Sequence, residues 1–327
     1  MIKYLIRRIA GWLALIVLAT NLTYFLAWGF LNPRSNYAER RPPLPPEVVD
    51  TTLGTYNLND KVPLLERWWT WLTNIVTKWD WGSSPVGVSV NGEVAYRMWV
   101  SAQLVLGATI LATVIGIGLG VYTASRQYKL ADRAWQGISI FTMNIPAVVM
   151  GFIVVVIGIR FNQAVGGTVF YVTGAKSIGV EGFFPVLIDT LQHLVLPTIS
   201  LIIIQYAATH FLQRSLLLDN INADYVRTAR AKGLPKAKAV RKHALRTSLI
   251  PVATSVAFSI PAVFTGAVMT ETIFGWEGMG RYFIQTISKN DIHGVVASAA
   301  FAAMLTAVGA ILSDIVVAAL DPRVRVS

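Results

Sequence analysis

The sequence predicts an all-α integral membrane protein with six spans, and three observations carry that reading. Only 14% of the 327 residues are charged while 54% are hydrophobic, and the mean hydropathy is +0.55; soluble domains carry roughly 25% charged residues. Six windows free of Asp, Glu, Lys and Arg are long enough to cross a bilayer: 9–31, 98–125, 134–159, 190–213, 247–270 and 292–313. A charge at the centre of a span costs about 2.5–3.5 kcal/mol on insertion scales, so six uncharged windows do not arise by accident. Third, Lys and Arg concentrate in alternate connections, nine of them between Arg214 and Arg246.

The first window follows Lys3, Arg7 and Arg8 and ends in "FLNPRS". Its apolar run exceeds the 7–15 residues of a signal peptide, and no small-residue cleavage site follows, so it reads as a retained anchor over 1–33. Residues 34–97 form an extracytoplasmic region. Its opening "RRPPLPPEVVD" is proline-rich and reads as extended. After Pro63, the residues Leu65, Trp68, Trp69, Leu72, Ile75, Val76 and Trp79 recur at three- and four-residue spacing, one face of a helix. Five of the ten tryptophans fall between Trp68 and Trp81, and Trp prefers the membrane boundary. An amphipathic helix lying flat on the outer leaflet follows, packed on the bundle or offered to an external partner.

Residues 98–318 hold the other five spans, and 319–327 form a tail. Basic residues crowd the N-terminus, the loop bearing Arg126, Lys129 and Arg133, the 219–246 connection, and the tail with Arg323 and Arg325. Both termini are therefore expected in the cytoplasm of a bacterial cell, the chain being multi-pass in its cytoplasmic membrane. This placement accounts for the net charge of +11, so nucleic acid is not inferred as a partner; the lipid bilayer is.

Catalytic chemistry is missing from the pattern. The chain has no G-x-x-x-x-G-K-[ST] phosphate loop, and its histidines (His193, His210, His243, His293) have no metal-binding spacing. "GVSVN" from Gly87 lacks the last glycine of a nucleophile elbow. No catalytic residue, metal site or directly bound cofactor is expected. The windows also lack the buried acids and bases of ion-coupled carriers, with Glu271 and Asp314 at interfacial positions beyond the window ends. What remains is proline and neutral polar groups. Asn144 before Pro146, Gln205, Ser255, Ser259 beside Pro261, and Thr265 are candidates to line a path, irregular helix packing being the alternative.

The connection 219–246 contains "DYVRTARAKGLPKAKAVRKHALRTSLIPV" in its C-terminal part and beyond. Asn222 or Asp224 can cap a helix that runs from Tyr225 to Lys232. Gly233 ends it in a left-handed turn, and Pro235 suits the first turn of a second helix running into the fifth span, with Pro251 at the entry. Adhesion to anionic lipid would explain the charge. Small residues, Thr228, Ala229, Ala231 and Gly233, fit a groove on another protein instead.

"DYVRTARAKGL" followed by "HALRTSLIPV" resembles the cytoplasmic coupling loop of binding-protein-dependent ABC importer permeases. The likeness extends over "YLIRRIAGWLALIVLATNLTYFL", "YNLNDKVPLLERWWTWL", "ETIFGWEGMGR" and "ALDPRVRVS", and is nearest the B-type subunit of dipeptide and oligopeptide permeases. The resemblance implies a six-helix type I ABC importer transmembrane domain with an extracytoplasmic insertion after its first helix. It implies coupling through Asp224, Tyr225, Val226, Arg227, Thr228, Ala229, Arg230, Ala231, Lys232, Gly233 and Leu234. It also implies ATP and Mg on separate ATPase subunits, a homologous second permease, an extracytoplasmic substrate-binding protein and a peptide substrate. Nickel or another small solute is the alternative cargo. An ATP-independent secondary transporter or channel, or a non-transporting scaffold, are the rival classes.

Overall fold

The computed structural model describes the backbone of residues 2–38 and 41–320, and the side chains of 6–38, 41–256 and 267–315. In chain order its helices are α1 (Ile2–Phe30), α2 (Ser35–Ala38), α3 (Pro46–Thr55), α4 (Leu64–Lys78), α5 (Val90–Ala124), α6 (Leu130–Met143) and α7 (Ala147–Val165). Then come α8 (Phe183–Ile221), α9 (Asp224–Ala231), α10 (Lys236–Ala239), a π-helical turn (Val240–Ala244), α11 (Leu245–Gly266), α12 (Val268–Ile273), α13 (Met279–Ser288) and α14 (Ile292–Leu320). Among the described residues there is no strand, only a bridge between Ser83 and Ser89.

Five segments are long and apolar enough to cross a membrane: Ile6–Ala38, Val90–Ala124, Ala147–Val165, Phe183–Ile221 and Ile292–Ile315. Most of the window 247–270 lies in the 22-residue α11, a helix that contains Pro251 and Pro261. The window 134–159 is corrected. It breaks at Asn144–Ile145–Pro146, because proline disfavours helix at the residue before it. The span is α7, which runs on through Arg160, a side chain long enough to carry its charge out of the hydrocarbon. The α8 helix has 39 residues, about 58 Å at 1.5 Å per residue, so it projects well beyond a hydrocarbon core of about 30 Å.

The chain forms two compact units, Ile2–Ser101 with Glu277–Ala307, and Ala102–Trp276 with Val308–Ser327. In the first, Tyr24, Ala27, Tyr37, Leu53, Leu58, Trp71, Ile292 and Val296 make a buried core. The loop after α1 is tied to the start of α14 by amides. Asn32 N donates to Asn290 Oδ1 at 2.9 Å, Asn290 Nδ2 to Ser35 Oγ at 3.0 Å, and Asn36 Nδ2 to Lys289 O at 2.8 Å. The proline-rich segment is only partly extended: α3 begins at Pro46, because proline is tolerated in a first helical turn.

In the second unit, α5 and α8 approach closely through Gly116 and Gly120, one turn apart. A Cβ on Gly116 would lie 2.7 Å from both Tyr206 O and Thr209 Cβ, and one on Gly120 would lie 2.7 Å from Gln213 Cβ. Small residues at this spacing let helix backbones meet in a membrane. Gly116→Val is therefore expected to destabilise the purified protein by about 1–3 kcal/mol, read by thermal unfolding in detergent. The control Gly118→Val, where a Cβ meets nothing within 4 Å, should shift the midpoint far less. Equal shifts would show that the close approach does not matter.

Candidate functional site: the basic helix after α8 and an uncharged cavity

The connection between α8 and α11 folds as the sequence suggests, with one change at its start. The backbone of Ala223, not the side chain of Asn222 or Asp224, precedes the first turn, and no side chain caps it. Asn222 ends α8 instead, while Asp224 lies in the first turn of α9, where an acid suits the helix dipole. The C-terminus closes in a Schellman motif: Leu234 N donates to Ala229 O at 3.2 Å and Gly233 N to Arg230 O at 2.9 Å. Gly233 has φ +91°, and a Cβ there would meet nothing within 4 Å. Backbone conformation, not crowding within the chain, demands glycine.

The helix has two faces. Val226 and Ala229 are buried with Ala124 at the end of α5, Leu217 on α8, and Ala239 and Ala244 beyond the turn. Ala229 is therefore no part of the small outward face expected from the sequence; its neighbours across the turn need a small residue there. Leu234 and Val240 pack on the same cluster. Asp224, Tyr225, Arg227, Thr228, Arg230, Ala231, Lys232 and Gly233 are exposed. The hydroxyl of Tyr225 donates to Asn220 Oδ1 near the end of α8, so the aromatic ring is oriented although exposed.

The second helix is α10, continued through the π turn into α11. Leu245 N donates to Val240 O, an i→i+5 bond. That widened turn puts Ala239 and Ala244, five residues apart, into one buried cluster. The sequence pattern gives no sign of it.

Above this segment a buried acid holds α6 to α8. Arg214 donates through Nε to Asp132 Oδ1 at 2.8 Å and through Nη2 to Oδ2 at 2.9 Å. Tyr128 N and Gln136 Nε2 complete the carboxylate at 2.9 and 2.8 Å. Asp132 is 1% exposed, and the Arg214 hydrogen bonds hold its carboxyl below the ordinary value of 3.8. One turn away along α8, His210 Nδ1 pairs with Ser139 Oγ at 2.8 Å and Nε2 with Thr123 Oγ1 at 3.0 Å, joining α5, α6 and α8. Sequence reasoning missed both connections, since the partners lie 82, 71 and 87 residues apart.

His193 and His293 are also built into packing. His193 stacks on Tyr171 with centroids 4.2 Å apart, fixing part of the segment between α7 and α8. Asn162 organises the rest of that segment, with Val169 N and Phe170 N donating to its Oδ1 and Nδ2 donating to Phe170 O. His293 Nδ1 pairs with Ser83 O at 2.9 Å. Glu271, in the first turn of α12, is fully buried.

Of the candidate path residues, Gln205 and Ser255 line one cavity of about 390 Å³ between α5, α8 and α11. Thr109, Thr113 and Thr209 share the lining, which has no charged side chain. Asn144 is not there; its Nδ2 donates to Ile140 O at 2.7 Å, closing the end of α6. The side chains of Ser259 and Thr265 lie outside the described residues. The threonines could have been found from their one-face spacing with Gln205 only if the α5–α8 register were known.

Residues 116–326 match the family described as the binding-protein-dependent transport system inner membrane component. The chain is 38% identical over its whole length, and the whole of the relative, to the oligopeptide transport system permease protein OppB of Mycobacterium tuberculosis. It is 30% identical to the oligopeptide permease protein AppB of Bacillus subtilis, covering 99% of this chain and 100% of that one. A chain of the MetNI methionine ABC transporter, inward facing, superposes with a TM-score of 0.49 at 16% identity, over 70% of this chain and 96% of that one. With this match across the core and full-length relatives, the chain belongs to the binding-protein-dependent transport system inner membrane component family, and is an integral membrane permease of the ABC importer class.

Proposed function

We propose that the chain is a B-type permease subunit importing di- or oligopeptides across a bacterial cytoplasmic membrane, with both termini cytoplasmic. The observation that carries this reading is α9: a short basic helix, anchored on one face to α5 and α8, with Tyr225, Arg227, Arg230 and Lys232 on its free surface. Such a helix can be gripped from outside and can pass the displacement into the spans that hold it. Separate ATPase subunits would bind ATP and Mg and seat the 224–234 segment. Their closure would favour one state of the bundle through its differential affinity for the two. This subunit is then non-catalytic.

The peptide cargo is supported by the names of its relatives, oligopeptide and dipeptide transport permeases. A largely apolar, uncharged cavity, with Ile204, Leu212 and Val252 beside the hydroxyls of Thr109, Thr113, Thr209 and Ser255 and the amide of Gln205, suits cargo whose side chains vary, since hydroxyl and amide groups can bond a peptide backbone without demanding a charge. Nickel would require a donor set of a different kind. A homologous second permease would complete the path, and an extracytoplasmic substrate-binding protein would deliver the peptide and supply most selectivity.

The test is uptake of a labelled oligopeptide into proteoliposomes. Uptake is expected only with the second permease, the ATPases, the binding protein and ATP all present. Transport by this chain alone, or unchanged transport without ATP, would overturn the proposal.

A further inference from the structure

Arg67 is a buried cation whose charge no side chain answers. The residue is 6% exposed, and its Nε and Nη1 are both shut off from solvent and donate to no acceptor. Arginine is almost never buried in this way unless it is paired. Other partly buried arginines are met by carboxylates: Arg34 by Asp50 and Asp60, Arg97 by Glu93 and Glu277, and Arg214 by Asp132. Among the described residues no acid pairs with Arg67. Asp60, whose field reaches it, already accepts from Nε and Nη2 of Arg34. Arg34, Lys61 and Arg67 thus stand against Asp50 and Asp60, and one positive charge is left over.

Packing holds the group where it is. Asn57 Nδ2 donates to Arg67 O at 2.8 Å, and the guanidinium carbon lies 3.6 Å from the centroid of the Trp28 ring. One turn further along α4, Trp71 stacks on Tyr24 with centroids 4.6 Å apart, and its buried Nε1 also lacks an acceptor. The Trp28 face attracts the charge, but it does not replace the oxygens that guanidinium N–H groups bond in water. Arg67 stands near the start of α4, whose N-terminus has no side-chain cap, so the helix dipole adds to the charge. Glu66 beside it is exposed and does not pair with it. Burial lowers the pKa of Arg67 from its ordinary value, yet a guanidinium keeps its proton at neutral pH. The charge cannot be shed, so it needs an anion.

One part of the group is within reach. Nη2 makes no hydrogen bond either, but unlike Nε and Nη1 it is not enclosed. Trp28, on which the guanidinium rests, lies two residues before α1 ends at Phe30, at the far end of the uncharged run 9–31. That is the depth of a membrane–water boundary, where lipid head groups stand. We propose that Arg67 is the centre of an oxyanion site whose occupant is a phosphate group, either that of a phospholipid head group or free phosphate from solution. Planar, permanently charged N–H donors match phosphate oxygens in both geometry and sign.

The test uses the full chain purified in an uncharged detergent. Inorganic phosphate is exchanged for chloride at constant ionic strength, short-chain phosphatidylglycerol is added in a separate series, and thermal unfolding is followed in both. Wild type is expected to gain several degrees, saturably, in at least one series. Arg67→Met, which removes the charge and keeps an apolar chain against Trp28, should gain nothing. Native mass spectrometry of protein extracted from membranes separates the sources. A phospholipid retained by wild type and lost from Arg67→Met assigns the site to a head group; stabilisation by inorganic phosphate with no lipid retained assigns it to free phosphate. Equal behaviour of wild type and Arg67→Met, in unfolding and in retained mass, would overturn the proposal. So would a wild type that responds to neither addition and retains no lipid, a result that does not depend on any variant. If Arg67→Met fails to fold, Arg67→Lys takes its place: the charge stays but the planar donors go, and several-fold more phosphate or lipid should be needed for the same gain. An unchanged requirement in Arg67→Lys would equally remove Arg67 from the site.

Discussion

Gly233→Asp is expected to abolish ATP-driven uptake while the protein still inserts and assembles. The backbone at 233 sits at φ +91°, where an L side chain costs about 1–2 kcal/mol. Nothing in the chain lies within 4 Å of the new Cβ, so the fold tolerates the substitution. What changes is the exposed end of α9. An acid is added at the negative end of a helix dipole, beside Arg230 and Lys232 on the surface proposed to meet the ATPase. Strain in the Schellman turn frays the Gly233–Arg230 and Leu234–Ala229 hydrogen bonds that set the helix end. Uptake by reconstituted complex should fall by tenfold or more, about 1.4 kcal/mol or more of coupling. Gly233→Asn is the informative companion, because asparagine visits the left-handed region more readily and adds no charge; it should retain much of the uptake. Normal uptake by the Asp variant would remove Gly233 and its surface from the coupling role.

Asp132→Asn is expected to destabilise the protein by about 3 kcal/mol, since it leaves Arg214 without its bidentate acceptor in a place where Asp132 is almost fully buried. The amide keeps the shape but can accept only one of the two guanidinium bonds. Thermal unfolding of the detergent-solubilised protein reads the loss, and Arg214→Met combined with Asp132→Asn should recover part of it, the orphaned charge being gone. The pH dependence has a definite sign. Arg214 holds the folded carboxyl below 3.8, so the stabilisation is complete above that value and fades as pH falls through it towards the lower folded value. The gap between wild type and variant should stay level from pH 6 to 8 and narrow below about pH 4. A gap that is absent at neutral pH would show that the pair contributes nothing.

Some elements were legible in the residues alone because their causes are local. The Gly233 turn needs only one backbone conformation, and the Trp-rich helix after Pro63 announces itself by its spacing. The first span and the last needed nothing beyond an uncharged run. By contrast, the third span was misplaced. Its window was cut at Arg160 because charge was taken to end a span, whereas the structure lets Pro146 end α6 and carries α7 past the arginine. Local rules conflicted there, and packing chose between them.

The sequence by itself determined that this chain lives in a membrane, which of its connections is basic, and where a short glycine-ended helix would stand between two spans. These follow from transfer free energies and backbone sterics, properties of a residue and its near neighbours. Only the tertiary structure decided that Ala229 faces inward, that Gly116 lets α5 meet α8, that Asp132 clamps Arg214, and that Gln205 and Ser255 share a cavity with three threonines. Each depends on which helices meet and at what register, and register is set by close packing summed over many contacts rather than by any one residue.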